Sequence, residues 1–314
     1  MVQQVKNEHI NIFLVYGLSV FFIVTFSLVH KVIHFLAKKN TVTPTIVQKK
    51  EQSVSKEIFN KNIFQNVQIE GKAYVIYDLL NHEIIASHNE TALLPLASLT
   101  KVMTAVSSTL HKSKEEKITI TQKSIDGGYD LGLKKNQVWS LGELLKYTLV
   151  FSSNDGAESV ANSFGSIDIF LQQMNTDAKN LGLNLFFTNP AGLDINGKIG
   201  GKGDAVDMAK LLGVARMQIP EILDATTKKR QTVTASGGKI SGIPNTNQAI
   251  ETLPGAEASK TGFTDLAGGN LGIIVDISIG HPVAIVVLGS TREGRFRDVE
   301  LLYTTLERSL RSSQ

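Results

Sequence analysis

Ser98 and Lys101 stand three positions apart in Pro95-Leu-Ala-Ser-Leu-Thr-Lys-Val-Met-Thr-Ala. On a helix that spacing puts both side chains on one face, a turn apart and within reach of each other. A serine hydroxyl is a weak nucleophile until a base takes its proton, and a lysine becomes that base once it loses its own. The free-lysine pKa of about 10.4 must fall by several units for this, which burial beside a second cation would supply. Ser-x-x-Lys also occurs at Ser53/Lys56 and Ser236/Lys239. Ser53 lies in a polar stretch and Ser236 precedes a Gly-Gly turn, so only Ser98 opens an apolar helix.

A second cation stands in Lys260-Thr261-Gly262, at the end of a strand pattern and before Phe263. Lysine and threonine there offer charge and a hydroxyl to a carboxylate, and glycine allows close backbone approach. Between the two lies Ser152-Ser153-Asn154, which puts a hydroxyl and an amide on a loop between helices; Ser87-His-Asn89 has the same Ser-x-Asn spacing. Other catalytic signatures are missing: neither G-x-S-x-G nor H-E-x-x-H occurs. Gly192 to Lys198 fits G-x-x-x-x-G-K, but Ile199 replaces the magnesium-binding hydroxyl residue and no strand precedes it, so it reads as a loop.

Short apolar runs at 73–78 and 83–87 predict an antiparallel hairpin. Helical patterns cover 97–110, 155–164, 167–181, 204–217 and 293–310, and Ser140 with Glu143 predicts a capping box for a helix to about Phe151. Strand patterns fall at 231–234, 257–260, 270–277 and 283–288. Strands at both ends and helices between predict an α+β domain whose antiparallel sheet takes strands from both ends of the chain.

The 314 residues contain no cysteine and 42% hydrophobic residues, enough for a sizeable core. Intrinsic disorder, thiol catalysis and cysteine-type zinc sites are excluded. Lys6, Lys31, Lys38 and Lys39 against Glu8 alone account for the whole net charge of +3. Residues 41–314 are therefore balanced, with no basic surplus to suggest nucleic acid. The surplus flanks Ile10 to Val29, twenty uncharged residues that match the length of a bilayer-crossing helix. This run is a transmembrane anchor or an export signal; the lack of an A-x-A-like cleavage site after it favours the anchor. The expected organisation is a tail at 1–9, this run at 10–29, a polar linker at 30–62 and a catalytic domain at 63–314.

The order Ser-x-x-Lys, Ser-x-Asn, Lys-Thr-Gly resembles the signature of penicillin-recognising serine enzymes. From about Ala73 to Leu310 the chain looks like a low-molecular-weight penicillin-binding protein of the D-alanyl-D-alanine carboxypeptidase family. Ser-Ser-Asn-Asp-Gly-Ala, Thr188-Asn-Pro-Ala-Gly-Leu-Asp194 and Lys-Thr-Gly-Phe-Thr also resemble that family's segments. The resemblance implies a β-lactamase/transpeptidase-like fold, an antiparallel sheet packed with a helical cluster. It departs from the family at Gly203 to Asp207, where a Ser/Thr-rich helix start is usual, although Asp204 can cap the helix as well. The family's common β-rich C-terminal domain is not expected here.

By resemblance, Ser98 attacks the penultimate D-alanine carbonyl, Lys101 takes its proton, Ser152 relays a proton to the leaving D-alanine, and Asn154 holds the substrate amide and Lys101. Lys260 and Thr261 face the terminal carboxylate, amides of Ser98 and Phe263 form the oxyanion hole beside Gly262, and Arg295, flanked by Arg292 and Arg297, resembles a family arginine near the site. The implied substrate is a peptidoglycan stem peptide ending in D-alanyl-D-alanine, the implied inhibitors are β-lactams, and no metal or organic cofactor is required. An endopeptidase on D-alanyl cross-links would use the same machinery, as would a class A β-lactamase. The latter needs a Glu from an E-x-x-L-N segment, yet after Glu158 no Glu appears until Glu221. A non-catalytic peptidoglycan-binding protein would not need every catalytic side chain present.

Peptidoglycan lies outside the cytoplasmic membrane, so this reading expects a single-pass membrane protein with an extracytoplasmic body. The lysines after the apolar run bias orientation the other way. A topology reporter fused after Gln314 is expected to report an extracytoplasmic position, and a cytoplasmic signal would contradict the reading.

Overall fold

The computed structural model describes residues 59–127 and 132–311. The apolar run at 10–29, the linker up to residue 58, Ser53/Lys56 and the four N-terminal lysines lie outside them. The described residues fall within the larger of the chain's two units, Glu57–Gln314. Among the described residues no helix is long and apolar enough to cross a membrane. Residues assigned above to the end of the linker are part of the larger unit. A 3-10 turn at Lys61–Phe64 buries Phe64, and the Phe59 ring meets His281 edge-on at 5.9 Å.

In chain order the strands are β1 Ala73–Asp78, β2 Glu83–His88, β3 Leu94–Pro95, β4 Lys117–Thr119, β5 Val138–Ser140, β6 Phe186–Phe187 and β7 Gly201–Gly203. They continue with β8 Arg230–Ala235, β9 Gly238–Pro244, β10 Ala256–Thr264, β11 Gly268–Asp276 and β12 Pro282–Ser290. The helices are α1 Thr100–His111, α2 Gln122–Ile125, α3 Leu141–Val150, α4 Asn154–Asn162, α5 Ile167–Asn180, α6 Ala205–Gln218, α7 Pro220–Asp224 and α8 Gly294–Arg311.

The main sheet is antiparallel in the order β10-β11-β12-β1-β2, so the two ends of the domain meet at its centre, where Ala73 to Asp78 pair with Leu288 to Val283. Its central strands are buried on both faces, which the β-branched runs of β11 and β12 permit. One face carries Val75, Ile274, Ala284 and Val286 against the helical cluster of α1 and α6. The other carries Tyr74, Ile76, Leu271, Ile273 and Ile285 against Phe296, Val299, Leu302 and Leu306 of α8, a stripe at helical spacing. Each such buried side chain contributes about 1.5–3 kcal/mol relative to exposure. Asp298 ties α8 to the start of the sheet, its carboxylate accepting from the amides of Glu70 and Gly71 and from the Ser290 hydroxyl.

The expected helices and hairpin form, with two local differences. Ser140 caps α3 by accepting from the Glu143 amide, but the Glu143 carboxylate takes Lys146 and the Thr234 amide instead of closing the box. The helix expected from Ala97 begins as a 3-10 turn at Ala97–Leu99, and α1 starts at Thr100. Asp204 caps α6 by accepting from the Asp207 amide at 2.8 Å. β10 is the edge strand of the main sheet, so one side of its backbone is left open where it passes the start of α1.

Candidate active site

Ser98 sits in the tight turn ahead of α1. The turn is anchored by Leu96 and Leu99, both fully buried, and it holds Ala97 at φ 48°, a left-handed conformation rare for a residue with a side chain. Such a position persists only when the surroundings over-determine it. Here a second loop does so: Gly192, at φ 77°, lies so close that an added Cβ would come within 1.9 Å of the Ala97 carbonyl oxygen.

Lys101, one turn into the helix, is fully buried. Its Nζ lies 2.8 Å from Ser98 Oγ, 2.8 Å from Asn154 Oδ1 and 2.8 Å from the Ala191 carbonyl oxygen. The Ala191 carbonyl is the partner that sequence reasoning missed. It is presented by an Asx-type loop in which Asn189 Oδ1 accepts from the amides of Ala191, Gly192 and Leu193, while Thr104 donates to the Pro190 carbonyl. The Asn189-Pro190 dipeptide was the available turn signal. The loop also contains the phosphate-loop lookalike, and it remains irregular, with only the bridge between Ile195 and Lys198.

Ser152, Ser153 and Asn154 do three different things. Ser152 takes φ 62°, and its hydroxyl lies 2.8 Å from Lys260 Nζ. Ser153 caps α4 by accepting from the Gly156 amide at 2.8 Å. Asn154, the first residue of that helix, reaches Lys101. The cap therefore fixes the loop whose two flanking residues touch the two lysines.

Lys260 is buried on β10 and donates to Ser152 Oγ and to the Thr261 carbonyl. Burial, then the charges of Lys101 and Arg295, hold its pKa well below the ordinary lysine value. Thr261 donates to the Thr246 hydroxyl at 2.7 Å, a neighbour with no signature in the motif scan. Gly262 faces the nucleophile's turn: an added Cβ would stand 3.0 Å from the Leu96 carbonyl oxygen and 3.2 Å from the Ser98 amide nitrogen. A residue without a side chain lets the strand edge lie there without pushing the serine turn away. Phe263 follows on the same edge.

The three arginines separate cleanly. Arg295 is buried and donates from Nη1 to the Gly262 carbonyl at 2.7 Å, bracing the strand at the level of Ser98. Burial, with the charge of Arg292 added and that of Glu293 opposing, brings its pKa down to about 10. Arg292 stacks on the Phe263 ring, 3.9 Å from the centroid, whereas Arg297 turns away to pair with Glu70. Asn270, opposite Gly262 on β11, was also unforeseen; it donates to the Pro95 carbonyl and accepts from the Gly289 amide, tying the sheet to the serine turn.

All nine residues singled out by motif are thus brought to one place by α1, the α3–α4 loop, β10 and the start of α8. The lookalikes are not. Ser236 sits in the β8–β9 turn, accepting from the Val138 amide, and Asn89 follows β2, donating to the Lys72 carbonyl.

Residues 60–292 match the family described as D-alanyl-D-alanine carboxypeptidase. The chain is 30% identical over 249 residues to a D-alanyl-D-alanine endopeptidase of Escherichia coli, covering 76% of this chain and 78% of that one. It is 30% identical over 203 residues to the D-alanyl-D-alanine carboxypeptidase DacF of Bacillus subtilis, covering 62% of this chain and 51% of that protein, about half its length. Among solved structures, penicillin-binding protein D2 of Listeria monocytogenes in its cefotaxime-bound form superposes with a TM-score of 0.66 at 30% identity, covering 76% of this chain and 98% of that one. The α+β fold expected from the sequence is therefore the fold of penicillin-binding proteins.

The depressed pKa of Lys260 has a thermodynamic consequence. The unfolded chain holds this proton up to about pH 10.4, the folded chain only to a lower pH. Burying the ammonium therefore costs stability below the folded pKa, and the cost fades as pH rises toward the unfolded value. Replacing the lysine by an apolar side chain of similar length, Lys260→Met, removes this dependence. In urea unfolding, the stability of the variant relative to wild type is expected to be lower at pH 10 than at pH 7. A difference that stays constant over this range would contradict the assignment.

Proposed function

The chain belongs to the D-alanyl-D-alanine carboxypeptidase family of serine peptidases, and from that membership we propose that it removes the terminal D-alanine from peptidoglycan stem peptides through an acyl-enzyme on Ser98. The observation that carries this reading is the set of partners around Lys101. A neutral amine has two N–H donors and one lone pair. Two of the three oxygens 2.8 Å from it, the Ala191 carbonyl and Asn154 Oδ1, accept hydrogen bonds and cannot donate, while the third, the Ser98 hydroxyl, can donate to the lone pair. That is the arrangement a general base needs before attack.

In the first step the Ser98 oxygen adds to the carbonyl of the penultimate D-alanine while Lys101 takes the hydroxyl proton. The amides of Ser98 and Phe263 hold the developing oxyanion, each donor worth about 2.7–4 kcal/mol in comparable sites. Collapse breaks the C–N bond, and a proton relayed through Ser152 from the lysine pair leaves with the D-alanine amine. Lys260 and Thr261 hold its carboxylate during departure, with Arg295 bracing the strand that carries them. Water then attacks the ester, a proton returns to Ser98, and the shortened peptide is released. β-Lactams, whose ring amide mimics the scissile bond, acylate the same serine.

A second reading, cleavage of D-alanyl cross-links, is favoured by one observation: the Escherichia coli endopeptidase is matched over 78% of its length, the Bacillus subtilis carboxypeptidase over 51%. Both readings use the same chemistry and differ in the leaving group, a free D-alanine or the residue of a second stem peptide.

Fluorescent penicillin is expected to label the wild-type protein covalently and to label Ser98→Ala about a thousandfold less or not at all. Labelling that survives Ser98→Ala would refute the acyl-enzyme. Incubation with a pentapeptide and with a cross-linked dimer then separates the readings. Release of D-alanine from the pentapeptide supports the carboxypeptidase, and cleavage of the dimer alone replaces it by the endopeptidase.

A further inference from the structure

The end of the domain opposite Ser98 carries exposed apolar side chains. Two elements run from the site to that end. In β11, Asn270 stands opposite Gly262 and Asp276 closes the strand about 20 Å further along. In α8, Arg295 meets Gly262, while Ser309, about 21 Å further along the helix, accepts from the Asn60 amide. Asp276 pairs with Pro282 and Asp78 with Val283, so the β11–β12 and β1–β2 turns share this far end with the last turn of α8. The first described residue, Phe59, packs on His281 of the β11–β12 turn there.

Three large apolar side chains project from this end: Ile279 is fully exposed, Met217 is 78% exposed and Leu80 45%. They are held in place. Asp276 accepts from the amides of Gly280 and His281, Asp78 from those of Leu80 and Asn81, and a buried Asp78–His281 contact of 2.9 Å ties the two turns together. Leu79 lies over Gly213 of α6, where an added Cβ would come within 2.7 Å of its side chain, and Met217 follows Gly213 by one helical turn. A groove of about 830 Å³ lies between Leu80 and Met217 and reaches Gly280, next to Ile279. His82, Lys210 and Arg216 also line it, and no carboxylate does. Apolar tips fixed in water mark a contact surface. Projections of this kind sink into a fluid lipid surface without a complementary partner, and cations beside them suit phospholipid headgroups.

Resting on the expectation that the apolar run at 10–29 is a retained membrane anchor, we propose that this end of the domain docks on the lipid surface of the bilayer. Ile279, Leu80 and Met217 enter the boundary between headgroups and acyl chains. The described chain begins at Phe59 on this same end, so the docked body turns Ser98 and the β10 edge away from the lipid, where a polymeric substrate has room.

The chain has no cysteine, so a single one can be introduced for labelling. Full-length Ile279→Cys and Leu266→Cys, the latter on the exposed β10–β11 turn at the active-site end, are labelled with nitrobenzoxadiazole. Both are reconstituted into phosphatidylcholine–phosphatidylglycerol vesicles with and without a nitroxide on the upper acyl chain. The label at 279 is expected to lose emission to the nitroxide and the label at 266 to keep it, since an interfacial apolar face reaches only about 5–10 Å into the bilayer. Adding Leu80→Ser and Met217→Ser to Ile279→Cys is expected to reduce the loss, with fluorescent penicillin labelling showing each variant folded. No loss at 279, equal loss at 266, or a loss at 279 unchanged by the two serines would overturn the inference. An emission shift at 279 that follows protein concentration and not the nitroxide would give the face to a second copy and overturn it too. Protein that does not stay with the vesicles would overturn the anchor expectation and this inference with it, while the penicillin adduct on Ser98 reports separately on the peptidase reading.

Discussion

Two lysines buried side by side are the constraint around which this protein is organised. Moving an ammonium out of water costs several kcal/mol even after relaxation, and a second one nearby raises that cost. Lys101 and Lys260 are both almost completely buried, and each field opposes the other's charge. The surroundings answer with oxygens: Ser98, Asn154 and Ala191 around Lys101, and Ser152 and the Thr261 carbonyl around Lys260. For Lys260, burial and then the charges of Lys101 and Arg295 hold the pKa well below the ordinary lysine value.

Bringing four chain segments to two amines demands unusual backbone. Ala97 and Ser152 both adopt left-handed conformations, at φ 48° and 62°, and each is at or beside a hydroxyl of the site. Gly262 allows β10 to run against the serine turn, and Gly192 allows the Asn189 loop to press on Ala97 from the other side. The rest of the fold supports these segments. The strand pair of β1 and β12 closes the domain, α8 and the helical cluster sandwich the sheet, and Asn270 and Arg295 fasten the serine turn and the β10 edge to that sheet.

Much of this was legible in the sequence because it is local. Short apolar runs predicted β1, β2, β11 and β12, and the Ser140 and Asp204 caps were readable from residue type alone. Lys101 and Ser98 lie one helical turn apart, so their meeting follows from spacing. What escaped was non-local or belonged to the backbone. The Ala191 carbonyl carries no side-chain signal, and its role depends on a loop 90 residues away from Lys101. The Glu143 half of the capping box went unmade because a strand from elsewhere offered the Thr234 amide. The resemblance pointed to Arg295 among three neighbouring arginines, but only the structure shows that Arg292 stacks on Phe263, Arg295 braces Gly262 and Arg297 pairs with Glu70.

The central claim is that a deprotonated Lys101 activates Ser98. Arginine keeps a cationic, hydrogen-bonding side chain at that position and cannot surrender its proton. The most direct measurement is the second-order rate of acylation by benzylpenicillin, followed by intact-protein mass, for wild type and Lys101→Arg, with circular dichroism showing both folded. A loss of about a thousandfold or more in Lys101→Arg is the predicted result. An acylation rate near that of the wild type would contradict the account, because the serine would then be activated by some other group.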